Sequence, residues 1–134
     1  MKTINPKTIK KDLVTDKYVV GHVMTKLLDA GKESGIHISE SFFDVGSHTH
    51  WHTHPNTQIL IGKSGSGFVQ KKGEKLKHIE VGDIVIIHAN DIHWHGAGKY
   101  DTFVHIAIQI GDDEGNIIMP LTESEYNEVD NLNK

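Results

Sequence analysis

The run Trp51-His52-Thr53-His54-Pro55, with Gln58 just after it and His93-Trp94-His95-Gly96 far downstream, limits this chain's folding most. For these side chains to act together, two remote segments must meet inside one core. The imidazoles of His52, His54 and His93 and the amide of Gln58 can then close on a single divalent metal. On an extended strand, residues two apart face the same way. His52 and His54 therefore project together, and Gln58 keeps their parity beyond the turn at 55–57. Histidine is also abundant, with 11 in 134 residues, and His48, His50, His52, His54, His93 and His95 fall in two short clusters.

The rest of the chain supplies strands to carry such a cluster. Residues 18–28, 36–45, 58–61, 68–70, 84–87 and 102–110 are rich in β-branched and aromatic side chains. Turn-forming clusters at 29–35, 62–67, 72–75, 89–91, 97–101 and 111–116 separate them. Short strands with Gly-rich turns predict an all-β sandwich or barrel. A C-terminal helix is expected over 122–129, with Thr122 as N-cap and Glu125 as its capping-box partner. A weaker helical signal covers 6–13.

Length and charge bound the function. A chain of 134 residues suits one domain, with a metal-binding core over 36–110, an N-terminal arm over 1–17 and the C-terminal helix. A net charge of -4 argues against nucleic acid as a partner. Lys71, Lys72, Lys75 and Lys77 read as the solvated tip of a hairpin. No cysteine is present, so thiolate sites and cysteine nucleophiles are excluded. Residues 1–12 lack a signal-like apolar run, and no segment is apolar enough to span a bilayer. The expectation is a cytoplasmic protein with no membrane partner.

The spacing also matches a family. Gly46-x5-His52-x-His54-x3-Gln58-x6-Gly65 resembles the first cupin motif, with Gln in place of the common Glu. Gly82-x5-His88-x-Asn90-x2-His93 resembles the second, with His88 where Pro is usual and Asn90 where Gly is usual. Those departures fall in a turn and not on a ligand. The resemblance implies an all-β double-stranded β-helix of the jelly-roll type, with the metal inside the barrel. The segments Trp51 to Pro55, Gly82-Asp83-Ile84-Val85, His93 to Gly96 and His105-Ile106-Ala107-Ile108-Gln109 narrow it. They resemble the small cupins that include manganese-dependent bacterial hydroxynitrile lyases and relatives linked to carboxymuconolactone decarboxylase.

By that resemblance His52, His54, Gln58 and His93 are the metal ligands, His105 is the general base, and His95 lines the pocket beside it. One divalent ion per chain is implied, Mn or Fe first and Ni, Co or Zn next. With Gln for Glu all four donors are neutral, so the metal keeps its double positive charge and favours anions. The implied activity is lyase-like cleavage or formation of a C–C bond in a small hydroxynitrile or carbonyl compound. The alternatives are a dioxygenase, isomerase or decarboxylase acting on a small keto or enol compound, or a non-catalytic binding cupin. A homodimer or homotetramer is expected from the same resemblance.

Strand parity adds detail. His105, Ala107 and Gln109 share one face of their strand, opposite Val104, Ile106, Ile108 and Ile110. Ser39, Ser41 and Phe43 share a face, and if it looks inward the pocket is polar. His48 and His50 read first as exposed in the turn after Gly46, with an alternative-ligand or ligand-supporting role open and His50 the better functional candidate. His22, His37, His78 and His88 read as structural or surface residues.

Overall fold

A computed structural model describes residues 1–28, 34–111 and 114–132. Its strands form two antiparallel sheets. The first runs in the order β1 (Asp12–Leu13), β3 (Val23–Leu27), β4 (Ile36–Phe43), β12 (Phe103–Ile110), β7 (Gln58–Gly65) and β10 (Ile84–Ile87). The second runs β13 (Asn116–Met119), β6 (Trp51–Thr53), β11 (His93–Ala97), β5 (His48–Thr49) and β2 (Val19–Val20). There β8 (Gly67–Lys71) also pairs with β11 and forms a hairpin with β9 (Lys77–Ile79), so the lysine cluster does flank a turn.

Strand β12 shows how the sequence specifies this arrangement. Phe103, His105, Ala107 and Gln109 are buried, whereas the alternate Val104, Ile106, Ile108 and Ile110 face outward and are partly covered or exposed. Two-residue alternation is what a strand with one face on a core requires. Its neighbours obey the same parity, with His105 opposite Ser41 on β4 and Gly62 on β7. Inward apolar residues of both sheets, among them Phe43, Leu60, Phe103, Val69 and Ile79, make one core.

A second core lies on the outer side of the second sheet. Trp51, Phe68 and Trp94 pack there against Leu121, Tyr126 and Val129, which come from the C-terminal segment. That segment folds as two short helices, α1 (Glu123–Tyr126) and α2 (Val129–Leu132), rather than one helix over 122–129. Thr122 caps α1 as expected, its hydroxyl accepting from the Glu125 N–H at 3.1 Å while Glu125 accepts from the Thr122 N–H at 2.9 Å.

Three other expectations need correction. The strand over 18–28 is split, because Gly21 turns with φ +89° and the His22 N–H donates to the Ser47 hydroxyl at 2.9 Å. The glycines at 62–67 do not form a turn from residue 62. Strand β7 continues to Gly65, and the register shift between Val104 and His105 marks a bulge opposite these residues. The N-terminal helical signal yields only a 3-10 turn at Pro6–Thr8, capped by Asn5, and Asp12–Leu13 instead pairs with β3. The turn expected at 29–35 lies mostly outside the described residues, and part of the one at 111–116 does too.

Candidate metal centre

Strands β6 and β11 bring the two histidine runs together. His93 sits directly opposite His52 in the ladder, and their ring centroids are 4.2 Å apart. His54 follows β6, with its ring 5.0 Å from His52 and 5.5 Å from His93. A backbone bond from the Asn90 N–H to the His54 carbonyl, 2.8 Å long, ties the two histidine-bearing segments. Asn90 adopts φ +65°, a left-handed conformation that asparagine tolerates better than most residues. That explains how it can stand where the motif has Gly.

The ring nitrogens are oriented so that they could serve a metal ion. His52 Nδ1 faces the His50 carbonyl at 2.8 Å, and His93 Nδ1 faces the Asp91 carbonyl at 2.8 Å. A carbonyl accepts only from N–H, so both rings carry the proton on Nδ1 and turn the Nε2 lone pair inward. His93 Nε2 and Gln58 Oε1 are buried with no protein hydrogen-bond partner. Buried polar atoms left this way are uncommon and cost free energy unless something binds them. Among the described residues, His52, His93 and His95 also offer nitrogens within 4.8 Å of one another. The donor chemistry therefore fits a divalent ion.

Burial keeps these imidazoles neutral, as ligands must be. Desolvation pushes His93 down to about 4 and drives His52 and His95 well below the usual histidine range, with neighbouring imidazoles adding to the shift in all three. His105, also buried, is pushed down to about 4 by desolvation. Its ring lies 5.0 Å from His95, and neither of its side-chain nitrogens has a protein partner.

A cavity of about 200 Å³ opens beside the cluster, lined by His52, His54, Gln58, His95 and His105 among others. Ser39, Ser41 and Phe43 lie on its wall, so the serine face of β4 does look inward. A second cavity of about 340 Å³ shares Thr25, Ser39, His54, Gln58 and Ala107 with it and continues past Gln109.

The fold recurs in solved structures. A cupin-like protein from Thermotoga maritima is 31% identical, superposes with a TM-score of 0.84, and the match covers 90% of this chain and 95% of that one. The chain belongs to the cupin family. Its jelly-roll barrel is shared with the polyketide cyclase RemF of Streptomyces resistomycificus (TM-score 0.76, 15% identity, 97% of this chain and 93% of that one), a likeness of fold alone. An (R)-mandelonitrile lyase of Granulicella tundricola is 42% identical over 67 residues. That match takes in 50% of this chain and 51% of the lyase, so the cupin aligns with about half the length of that curated relative. No protein-family model matches the chain.

Within the cupin barrel, His52, His54, Gln58, His95 and His105 line one cavity, whereas His93 lines a different one beside Asp91 and reaches the cluster through its ring contact with His52. His48 and His50 do not read as expected. His48 is buried, stacked on Tyr126 at 4.0 Å, and His50 Nδ1 accepts from the Leu121 N–H at 3.1 Å. Both hold the C-terminal segment, a long-range contact that their turn-like surroundings conceal. Sequence reading overlooked Tyr18, whose ring meets His52 edge-on at 5.3 Å from the N-terminal side. It overlooked Thr49 too, whose hydroxyl accepts from the His95 N–H at 3.1 Å.

Proposed function

We propose that this cupin is a metal-dependent lyase that cleaves or forms a C–C bond in a small hydroxynitrile. His52, His54, Gln58 and His93 would hold one divalent ion, Mn or Fe first. His95 sits close enough to join them or to contact what they hold. When bound, the ion supplies Lewis acidity with its full double charge, because every donor is neutral. The observation that carries the reading is His105, a buried neutral imidazole whose ring nitrogens have no hydrogen-bond partner in another residue, on the wall of a cavity that His52, His54 and Gln58 also line.

In the cleavage direction His105 takes the proton of the substrate hydroxyl. The oxygen's electron pair then forms the carbonyl, and the C–C pair leaves with the nitrile carbon as cyanide. The cyanide takes the proton back from His105 and departs as hydrogen cyanide. Proton transfer of this kind contributes roughly a hundred- to ten-thousand-fold. The partial likeness to an (R)-mandelonitrile lyase supports the choice of reaction.

Metal analysis of chain purified without added metal should give close to one ion per chain. Mandelonitrile cleavage should fall at least a hundredfold in His105→Ala with the metal retained. A wild type that releases no cyanide but consumes oxygen with diketones, or isomerises or decarboxylates a keto acid, would replace the lyase reading by its rival. The polar wall of Thr25, Ser39 and Ser41 favours that rival. A chain that binds metal but turns over nothing would be a binding cupin.

We further propose one folded domain and a cytoplasmic homodimer or homotetramer. Exposed Ile84 and Ile86 on the edge strand β10 offer an apolar surface for pairing. No helix among the described residues is long and apolar enough to cross a membrane.

A further inference from the structure

The chain has three tyrosines, and the structure treats each differently. Tyr100 is exposed. Tyr126 is buried and its hydroxyl donates to the Ala97 carbonyl at 2.8 Å. The Tyr18 hydroxyl is buried but has no protein partner. Buried tyrosine hydroxyls normally find one, so Tyr18 requires an explanation.

Its surroundings suggest one. Tyr18 lines the same cavity as His52, His54, His95 and His105, and its ring stands edge-on to His52 at an interplanar angle of 75°. Its backbone is fixed. The Tyr18 N–H donates to Asp16 Oδ1 at 3.0 Å, and the Tyr18 carbonyl accepts from the His50 N–H at 2.8 Å. The carbonyl of that same His50 faces His52 Nδ1. One residue thus positions both the tyrosine and a candidate ligand. Gly115 leaves room for the hydroxyl, since a Cβ there would collide with Tyr18 Oη and come within 3.2 Å of His54 Cε1.

We propose that Tyr18 is a ligand-contacting residue, its hydroxyl donating a hydrogen bond to a small anion or oxygen held at the histidine cluster. The ligand class is a compact anion, or a carbon compound carrying an alkoxide, carboxylate or nitrile, with an acceptor atom beside the metal position. The inference rests on the metal-site part of the proposed function but not on the lyase reaction. It also gives the segment before β3 a share in the site.

The test uses the full chain loaded with Co²⁺ and titrated with azide, followed by the visible absorption of the cobalt. Tyr18→Phe should retain stoichiometric cobalt with unchanged cobalt affinity and bind azide roughly tenfold to a hundredfold more weakly, the worth of one hydrogen bond to a charged group. Gly115→Ala, which crowds the hydroxyl from the other side, should weaken azide in the same direction. Equal azide affinity in wild type and Tyr18→Phe would overturn the proposal while leaving the metal site intact. Loss of cobalt from Tyr18→Phe would overturn it too, making Tyr18 a prop for His52. A wild type that takes up no cobalt would sink the metal reading and this inference with it.

Discussion

Strands β6 and β11 each have two faces, and the faces are built on opposite terms. Outward, Trp51 and Trp94 pack beneath the C-terminal helices, and their polar atoms are engaged. Trp51 Nε1 donates to Glu125 Oε2 at 3.2 Å, and Trp94 Nε1 donates to Gln70 Oε1 at 3.0 Å. Inward, one residue away, His93 keeps a buried nitrogen without a protein partner, as do His95 and His105 nearby. Leaving such an atom buried costs about 1–3 kcal/mol. The outward face therefore stabilises the fold, while the inward face carries buried polar atoms that the protein itself leaves unsatisfied at a cost.

The comparison breaks most sharply at Trp94. Trp94→Ala should cost about 3–5 kcal/mol, read from the urea midpoint, because a fully buried side chain leaves a cavity and an orphaned Gln70 amide. His93→Ala, the adjacent residue on the other face, should cost the metal-free protein less, since a smaller cavity and the lost bond to the Asp91 carbonyl are partly offset by removal of the unsatisfied Nε2. It should instead lower metal affinity at least about a hundredfold, beyond the range seen when only a ligand's supporting partner is lost. Metal titration of the folded variant checks this. If the two variants lose equal stability without metal, the histidine face is ordinary core and the contrast fails.

How far the chain's pattern shows this contrast depends on distance along it. Strands β4 and β12 could be read locally, because alternation over eight residues reports a half-buried strand directly, and β10 through its run of β-branched residues, whereas only the first half of β7 was legible. The convergence of His52 and His54 with His93 was legible through spacing and parity. The two- and three-residue strands β2, β5, β6 and β9 were not, since so short a segment carries no period. His48 was misread for a related reason. Gly46 and Ser47 beside it read as a turn, and only the return of Tyr126 from the C-terminus buries it. Tyr18 sat at the head of what read as one long strand, and nothing local told a core tyrosine from one at a cavity.

A smaller effect should separate the faces by pH. Burial pushes His48 down to about 4, partly offset by its contact with the Gly46 carbonyl. In the unfolded chain it titrates near 6.5, so between these values the unfolded state binds more protons. Its contribution is therefore complete above about pH 6.5 and is lost as pH falls through about 4. Without metal, the inward histidines lowered in the same sense add to this slope. His48→Phe should retain the stacking on Tyr126 and flatten the loss of stability between pH 7 and 5, measured by urea unfolding. An unchanged slope would place the acid sensitivity wholly on the inward cluster.

The mildest test lies at the edge of the outward face. Thr122→Ala removes the hydroxyl that accepts from the Glu125 N–H, and should cost about 1 kcal/mol. The loss need not stay local. Glu125 also accepts from the Trp51 indole and from Lys72 at 3.3 Å, so the cap fixes a carboxylate that closes the second core. A double-mutant cycle of Thr122→Ala with Trp51→Phe measures that linkage. Coupling above about 0.5 kcal/mol would show that helix cap and indole act as one unit, as residues sharing one hydrogen-bond network do. Additive losses would mean that Trp51 is held by packing alone, and the outward face would then owe its stability to buried area rather than to its satisfied polar atoms. In either case metal affinity should stay unchanged, because Trp51 and His52 point to opposite sides of the same strand.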